Sequence, residues 1–205
     1  MLAEAKISTL CVNLDTFPVE VFAAFRISGA EVRLTAHRSR IMDFLPAILG
    51  STIAFDLSGN NIGDEGACTL SQALAVNKTL LHIELPNNNI GDEGAGALAD
   101  ALRVNQALQQ IDLHSNNIGD EGASKVAEAL RLTKTWQRLS LANNVIGPEG
   151  ASKVAEALAG NKTLQRLSLA NNKIGDEGAR KVAEALRVNQ TLPLVFLRNN
   201  NIGDE

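Results

Sequence analysis

Apolar residues recur along most of this chain at a fixed interval of 28 residues. The leucine at position 57 returns without an insertion at Leu85, Leu113, Leu141, Leu169 and Leu197. Another apolar side chain stands two residues before each leucine, and an asparagine stands three residues after the leucine. The pair Ile-Gly begins two residues after that asparagine. A fixed period in the twenties predicts a solenoid, in which each unit contacts its neighbours.

Each unit divides into a short strand and a helix. The apolar pair of one copy, Ile83 and Leu85, alternates with polar positions, as a strand with one buried face requires. The asparagine that follows is expected to be buried in the turn, where its amide must find partners in its own and the next turn. A helix of about ten residues then places small and branched side chains inward. The first copy of that inward set is Leu70, Ala73 and Leu74.

The start of each helix carries two carboxylates in the sequence Gly-Asp-Glu-Gly-Ala, where free N–H groups and the helix dipole favour negative charge. Pro148 replaces the aspartate in one copy, so Gly147 is predicted to be the N-cap there. An asparagine ends the helix in four of five copies. A calcium site is the weaker explanation of the repeated acids, which are Asp64, Asp92, Asp120, Asp176 and Asp204.

Residues 1–51 do not follow the 28-residue rule. They carry the apolar pairs Val12/Leu14 and Val32/Leu34, ahead of Phe55/Leu57 and at shorter intervals. We expect an N-terminal cap of degenerate, shortened repeats that covers the open end of the core. A small independent domain is the alternative.

The motif L-x-x-L-x-L-x-x-N-x-I-G-x-x-G-A-x-x-L/V-x-x-A-L-x-x-N resembles the ribonuclease-inhibitor type of leucine-rich repeat. The resemblance covers residues 52–205, as five full 28-residue units and the start of a sixth. It implies an α/β leucine-rich-repeat solenoid, a horseshoe with a parallel β-sheet on the concave face and α-helices on the convex face. It also implies a family that mostly binds proteins, among them ribonuclease inhibitors, NOD-like immune receptors, activators of Ran-type GTPases and effectors of intracellular bacteria.

Composition narrows the function further. Hydrophobic residues make up 45% of the 205 residues and aromatic residues 3%, which suits a thin core of Leu, Ile, Val and Ala. A net charge of −4 argues against a general nucleic-acid binder, and no apolar run is long enough for a membrane span. Two cysteines in unrelated settings and the lack of a secretory signal indicate a cytoplasmic protein.

Strand positions beside the buried leucines are expected to face the concave surface. This surface is acidic in the early repeats and basic in the late ones, so charge complementarity is predicted to select a protein partner. The predicted partner-binding residues are Asp56, His82, Glu84, Gln110, Asp112, His114, Arg138, Arg166, Leu194, Phe196 and Arg198. An unselected solvated sheet is the alternative.

Four of these residues have side chains of the types that bind zinc, namely His82, Glu84, Asp112 and His114. Same-face neighbours on one strand stand about 7 Å apart, which is wide for a tetrahedral site. No metal and no cofactor are therefore predicted. Because no base, nucleophile and oxyanion donors converge, the protein is not expected to be an enzyme.

The sequence predicts a non-catalytic protein–protein interaction module. Its copies read closest to immune-receptor and bacterial-effector repeats, so one interpretation is an effector delivered into a host cytosol; an activator of a small GTPase is the alternative. Leu194 and Phe196 put apolar groups on the last strand, and no capping unit follows. A truncated chain, a homodimer through this C-terminal repeat, or a partner that covers it would each explain that exposure.

Overall fold

A computed structural model describes residues 9–13, 31–35 and 53–203. In this part of the chain, eight parallel strands form one sheet, and neighbours in the sheet are also neighbours in sequence. The strands are β1 Thr9–Asn13, β2 Glu31–Thr35, β3 Ala54–Asp56, β4 His82–Glu84, β5 Gln110–Asp112, β6 Arg138–Ser140, β7 Arg166–Ser168 and β8 Leu194–Phe196. The predicted α/β solenoid with a parallel sheet is confirmed.

A helix follows each of the strands β3 to β7. These helices are α1 Gly63–Val76, α2 Asp92–Val104, α3 Asp120–Leu132, α4 Pro148–Gly160 and α5 Gly175–Val188, and each packs against the next. They have 13 or 14 residues, so the expected length of about ten was wrong. The last turn was missed because exposed residues such as Arg103 and Val104 do not continue the apolar period.

The core lies between the sheet and the helices. Its strand side is formed by the alternating apolar residues, such as Ile83 and Leu85, and its helix side by residues such as Leu98 and Leu102, all of them buried. Trp136 takes a leucine position at the start of its repeat and is 1% exposed, so the core accommodates the larger ring there. The core is otherwise thin, as the composition predicts, because Leu, Ile, Val and Ala side chains fill a narrow space better than aromatic side chains do.

Buried asparagines connect each turn to the turn before it. Asn88 donates through Nδ2 to the carbonyl oxygens of Leu57 and Pro86, at 2.9 and 3.0 Å. Its Oδ1 accepts from the backbone N–H groups of Asn60 and Ile62, at 3.0 and 3.3 Å. The predicted ladder is therefore present, but each asparagine side chain bonds its own turn and the preceding turn, whereas its own turn and the next turn were expected.

A second asparagine ladder runs along the C-terminal ends of the helices. Asn105 is the C-cap of α2, and its Nδ2 donates to the carbonyl oxygens of Leu74 and Asn77 in the preceding repeat, at 2.7 and 2.9 Å. Leu74 lies in the last turn of α1, so this bond gives a second donor to a carbonyl that otherwise accepts only from the C-cap N–H of Asn77, at 3.2 Å. The sequence predicted these asparagines only as helix ends.

The first aspartate of each of the helices α1, α2 and α3 accepts hydrogen bonds from the start of the helix in the following repeat. Asp64 Oδ1 receives the N–H groups of Gly91 and Gly94, at 2.6 and 3.0 Å. A β-carbon at position 94 would lie 2.6 Å from that same oxygen, so a glycine is needed for the close approach. Asp92 and Asp120 repeat this arrangement on the next two glycine pairs. Each aspartate thus caps its neighbour in addition to facing its own helix dipole.

Pro148 interrupts this series and changes the start of α5. Without an aspartate in the preceding repeat, Gly175 adopts a φ of +62°, and its N–H donates to the carbonyl oxygen of Asn200 instead. The corresponding glycine of α4, Gly147, has a φ of −95° and is the predicted N-cap. The substitution therefore alters the helix that follows it as well as its own.

Strands β1 and β2 extend the sheet beyond the 28-residue units. The register pairs Leu10 with Val32 and Val32 with Phe55, so the apolar pair expected at Val12/Leu14 is displaced by two residues. The rest of residues 1–51 lies outside the described part of the chain. Whether this region consists of shortened repeats stays a prediction.

Candidate functional site

The sheet face opposite the core, called the concave face below, consists of two aligned rows of side chains on β3 to β8. The first row follows the start of each strand and contains Ala54, His82, Gln110, Arg138, Arg166 and Leu194. The second row follows the strand ends and contains Asp56, Glu84, Asp112, Ser140, Ser168 and Phe196. Period-two alternation places both rows on the side away from the buried central residues.

A shallow groove of about 360 Å³ runs along the concave face from β3 to β7. Seven of the predicted partner-binding residues line it, namely Asp56, His82, Glu84, Gln110, Asp112, Arg138 and Arg166. His114, Leu194, Phe196 and Arg198 lie outside this groove. The structure therefore brings together most of the predicted set, across five neighbouring strands.

The acidic end of the groove is largely occupied by contacts within the chain. Asp56 is 3% exposed, and its Oδ1 accepts from the backbone N–H and the hydroxyl of Ser58. Asp112 Oδ1 lies 2.9 Å from the backbone N–H and 2.9 Å from the ring Nδ1 of His114. Glu84 is exposed and also has a partner. Sequence reasoning identified these acids but did not predict that their oxygens are already engaged.

The basic end of the groove has a different character. Arg138 and Arg166 are both exposed, and neither forms a salt bridge with a described residue. Arg166 instead places its guanidinium carbon 4.8 Å from the centre of the Phe196 ring, a cation–π contact. The two arginines therefore place positive charge without an acidic partner at this end of the groove, although the whole chain carries a net charge of −4.

Ser140 and Ser168 line the groove beside the two arginines and were left out of the predicted set. Their positions follow from the same alternation that placed Arg138 and Arg166, so the signal was present in the sequence. It was passed over because a hydroxyl adds nothing to a charge pattern.

The predicted zinc-type residues do not form a metal site in the part of the chain that the structure describes. No three or more of its His, Cys, Asp and Glu side chains are grouped so that they could hold an ion. The fifth repeated acid, Asp204, lies outside the described residues. No described helix is long and apolar enough to cross a membrane.

Comparison with known families identifies the repeat. A family profile described as Leucine Rich repeat matches residues 54–71, 76–99, 104–127, 137–155 and 160–183, which together make up more than half of the chain. The chain belongs to the leucine-rich repeat family. The matched segments of this leucine-rich repeat protein cover β3 to β7 and much of α1 to α5. No curated protein matches the whole sequence significantly.

Solved structures include similar folds. The leiomodin-1 segment titled Actin-Binding Site 2 is 26% identical, has a TM-score of 0.56, and aligns with 65% of this chain and 79% of its own. The tropomodulin C-terminal domain from Caenorhabditis elegans is 20% identical at the same TM-score, over 65% and 81% of the two chains. An internalin from Listeria monocytogenes is 18% identical with a TM-score of 0.45, over 87% of this chain and 51% of its own.

Proposed function

We propose that this leucine-rich repeat protein is a non-catalytic interaction module, of the ribonuclease-inhibitor type, that binds a protein partner on its concave face. The observation that carries the proposal is the groove, which gathers nine polar or charged residues from five neighbouring strands. Members of the repeat family generally act in this way.

The dimensions of the concave face favour a protein over a small ligand. Neighbouring strands stand about 4.8 Å apart, so the rows on β3 to β8 extend over about 24 Å. An extended peptide of about seven residues, or one face of a helix, has that length. The groove covers the part of this length from β3 to β7, and a small molecule would leave most of it unoccupied.

Reversing the positive charges of this face tests the proposal. The variant Arg138→Glu, Arg166→Glu, Arg198→Glu is expected to keep its fold, since all three side chains are exposed. It should lose partners that the wild-type protein captures from a cell lysate, because like charges then oppose the partner. Capture is measured by quantitative mass spectrometry, and the fold by circular dichroism.

A matched control reverses three charges elsewhere. Lys78, Lys134 and Lys162 follow the C-cap positions of three helices, are exposed, and lie outside the groove. The variant Lys78→Glu, Lys134→Glu, Lys162→Glu carries the same change in net charge. Equal capture by both triple variants would show that total charge, and not the concave face, governs binding, and the proposal would fail.

Actin is the first defined partner to test. The support is the similarity to a leiomodin-1 segment that is itself titled an actin-binding site. Co-sedimentation with actin filaments, with the two triple variants alongside, would include or remove actin as a partner. A negative result would leave other proteins as partners of the same face.

Activation of a small GTPase remains the alternative function, supported by the resemblance of the repeats to Ran-type activators. It predicts faster GTP hydrolysis in the presence of this protein, whereas the binding module predicts no change in that rate. The proposed site of action is the cytosol, including a host cytosol if the chain is a bacterial effector.

We also propose that the protein can form a homodimer through its last repeat. Leu194 is 49% exposed and Phe196 37% exposed, so β8 presents apolar surface beside the groove. Burial of that surface would stabilise a dimer. A monomer mass in analytical ultracentrifugation that does not change with protein concentration would remove this option.

A further inference from the structure

We propose that the basic end of the groove is a phosphate-binding site, formed by Arg138, Arg166, Ser140 and Ser168, that takes a phosphorylated side chain of the protein partner. The proposal rests on the proposed function, because it names the chemistry by which the concave face recognises that partner.

The site follows from two neighbouring strands with identical sequence. Strands β6 and β7 both read Arg-Leu-Ser and pair in register, so Arg138 lies beside Arg166 and Ser140 beside Ser168. With strands about 5 Å apart and same-face residues about 7 Å apart, the four side chains start from the corners of a small rectangle. The leucines between them are buried, so all four side chains leave the sheet on the same side.

These four side chains keep their donors available. The salt bridges of the described residues involve other arginines and lysines, and neither serine hydroxyl bonds to a described residue. The nearest acid on the face is Asp112, on the neighbouring strand β5, and its Oδ1 accepts from the backbone N–H of His114 and lies 2.9 Å from the ring Nδ1 of the same residue. Two adjacent guanidinium groups without a counter-ion repel each other, so an anion bound between them is favoured.

Phosphate matches the site better than a carboxylate does. A phosphorylated serine or threonine carries a charge of about −1.5 to −2 at pH 7, which compensates two guanidinium groups, and it offers three strong acceptor oxygens. Arginine donates in pairs to such oxygens, and a hydroxyl adds a further donor. A single carboxylate has one negative charge and would leave one arginine uncompensated.

The neighbouring strand adds a second feature of the partner. Leu194 and Phe196 on β8 expose apolar surface, and the Phe196 ring already contacts the Arg166 guanidinium. This strand lies about 7 Å from the midpoint between β6 and β7, which is one and a half strand spacings. Side chains two positions apart in an extended peptide are separated by about the same distance. The partner segment is therefore a phosphorylated residue with an apolar residue two positions away.

A synthetic peptide provides the test. The probe is Gly-phosphoserine-Gly-Leu-Gly with blocked ends, titrated into isotopically labelled full-length protein and followed by NMR. The phosphorylated peptide is expected to bind at least about tenfold more tightly than its unphosphorylated form, because charge-assisted hydrogen bonds are lost without the phosphate. The Nε–H signals of Arg138 and Arg166 should shift in the same titration, and inorganic phosphate alone should shift them in the same direction.

Single variants locate the binding to this site. Arg138→Gln and Arg166→Gln should each weaken the phosphopeptide about tenfold, and Ser140→Ala by a smaller factor. Lys134→Gln removes one positive charge outside the groove and should leave the affinity unchanged. Moving the leucine of the peptide next to the phosphoserine should weaken binding to the wild-type protein.

Two results would overturn the inference. One is equal affinity for the peptide with and without phosphate; the other is an Arg138→Gln variant that binds as Lys134→Gln does. The proposed function is judged separately, by capture from a phosphatase-treated lysate. Partners that survive this treatment but are lost on reversing the arginines would uphold the binding face and refute the phosphate site.

Discussion

At the scale of single residues, asparagine side chains make most of the polar connections between repeats. Asn88 is fully buried and forms four hydrogen bonds, three of them to backbone groups of the preceding turn. An amide suits this position because it offers donors and acceptors together, whereas a carboxylate would offer acceptors alone. The chain repeats this arrangement at Asn116, Asn144, Asn172 and Asn200.

Substitution of Asn88 should therefore be among the most costly changes in the chain. Asn88→Ala leaves the N–H groups of Asn60 and Ile62 without their acceptor in a buried turn and removes one donor from each of two carbonyls, so we expect a loss of about 3–5 kcal/mol in the free energy of unfolding. Urea denaturation, followed by fluorescence of the buried Trp136, measures this loss.

The neighbouring position supplies the control for that experiment. Asn89 is exposed and adopts a φ of +54°, which glycine tolerates, so Asn89→Gly should change the stability by no more than about 1 kcal/mol. Similar losses for the two variants would mean that the ladder contributes little to stability.

At the scale of secondary structure, each helix start depends on the repeat before it. Asp120 Oδ1 accepts the N–H groups of Gly147 and Gly150 at the start of α4, at 2.7 and 2.8 Å. Glu121 stands next to Asp120 in the first turn of α3 but is exposed and has no such contact. Both acids lie in the first turn of α3 and interact with the same helix dipole. Comparing the stability of variants at the two positions therefore separates the effect of the dipole from the effect of capping α4.

We expect Asp120→Ala to lower the free energy of unfolding by about 1–2 kcal/mol more than Glu121→Ala does. The reason is that only the first change leaves two N–H groups of the next helix without their acceptor. Thermal and urea denaturation of both variants provide the measurement. If the two losses were equal, the acids would act on their own helix alone.

Most of the fold was predictable because it depends on a single repeated pattern. The positions of Leu85 or Asn88 in one unit predict those in the next, and the alternation around Ile83 predicts which side chains reach the concave face. Contacts between units were harder to predict. The acceptor role of Asp64 and the bond from Asn105 to Leu74 join residues 27 to 31 positions apart, and no periodicity within one unit reveals them.

For the candidate site, the sequence predicted which residues face the groove but not which of their charged side chains have partners within the chain. It placed both Asp112 and Arg138 among the charged partner-binding residues of the concave face. The structure shows the first held by His114, while the second has no acidic partner among the described residues. Such pairing depends on side-chain geometry across a turn, which hydrophobic patterning does not encode.

At the scale of the whole molecule, the solenoid is not equally stable along its length. Helix α3 buries six of its residues, whereas α5 buries Gly178, Val182 and Ala185. The same helix α5 lacks the aspartate cap, because Pro148 occupies that position in the preceding repeat. Both differences act in the same direction, since each removes contacts that hold a repeat to its neighbour.

Amide hydrogen exchange should show this difference directly. We expect the amides of α5 to exchange at least about tenfold faster than those of α3, because fewer buried contacts must open. Pro148→Asp supplies the missing acceptor for α5 and should narrow the gap. Uniform protection across both helices would instead mean that the described repeats unfold as one cooperative unit.

The constant offset of the bonds between repeats has a consequence for how such a chain can change its length. Every ladder bond from the Asn88 side chain to the preceding turn spans 26 to 31 positions, so the donor and the acceptor lie about one unit apart. An in-frame tandem duplication of one unit in the gene therefore inserts a segment that carries its own joints on both sides. Copying a unit that contains an aspartate, such as Asp120, also copies the cap for the next helix. Copying the unit with Pro148 would instead create another helix start without an aspartate cap. The positions of uncapped helix starts would therefore record which unit had been duplicated.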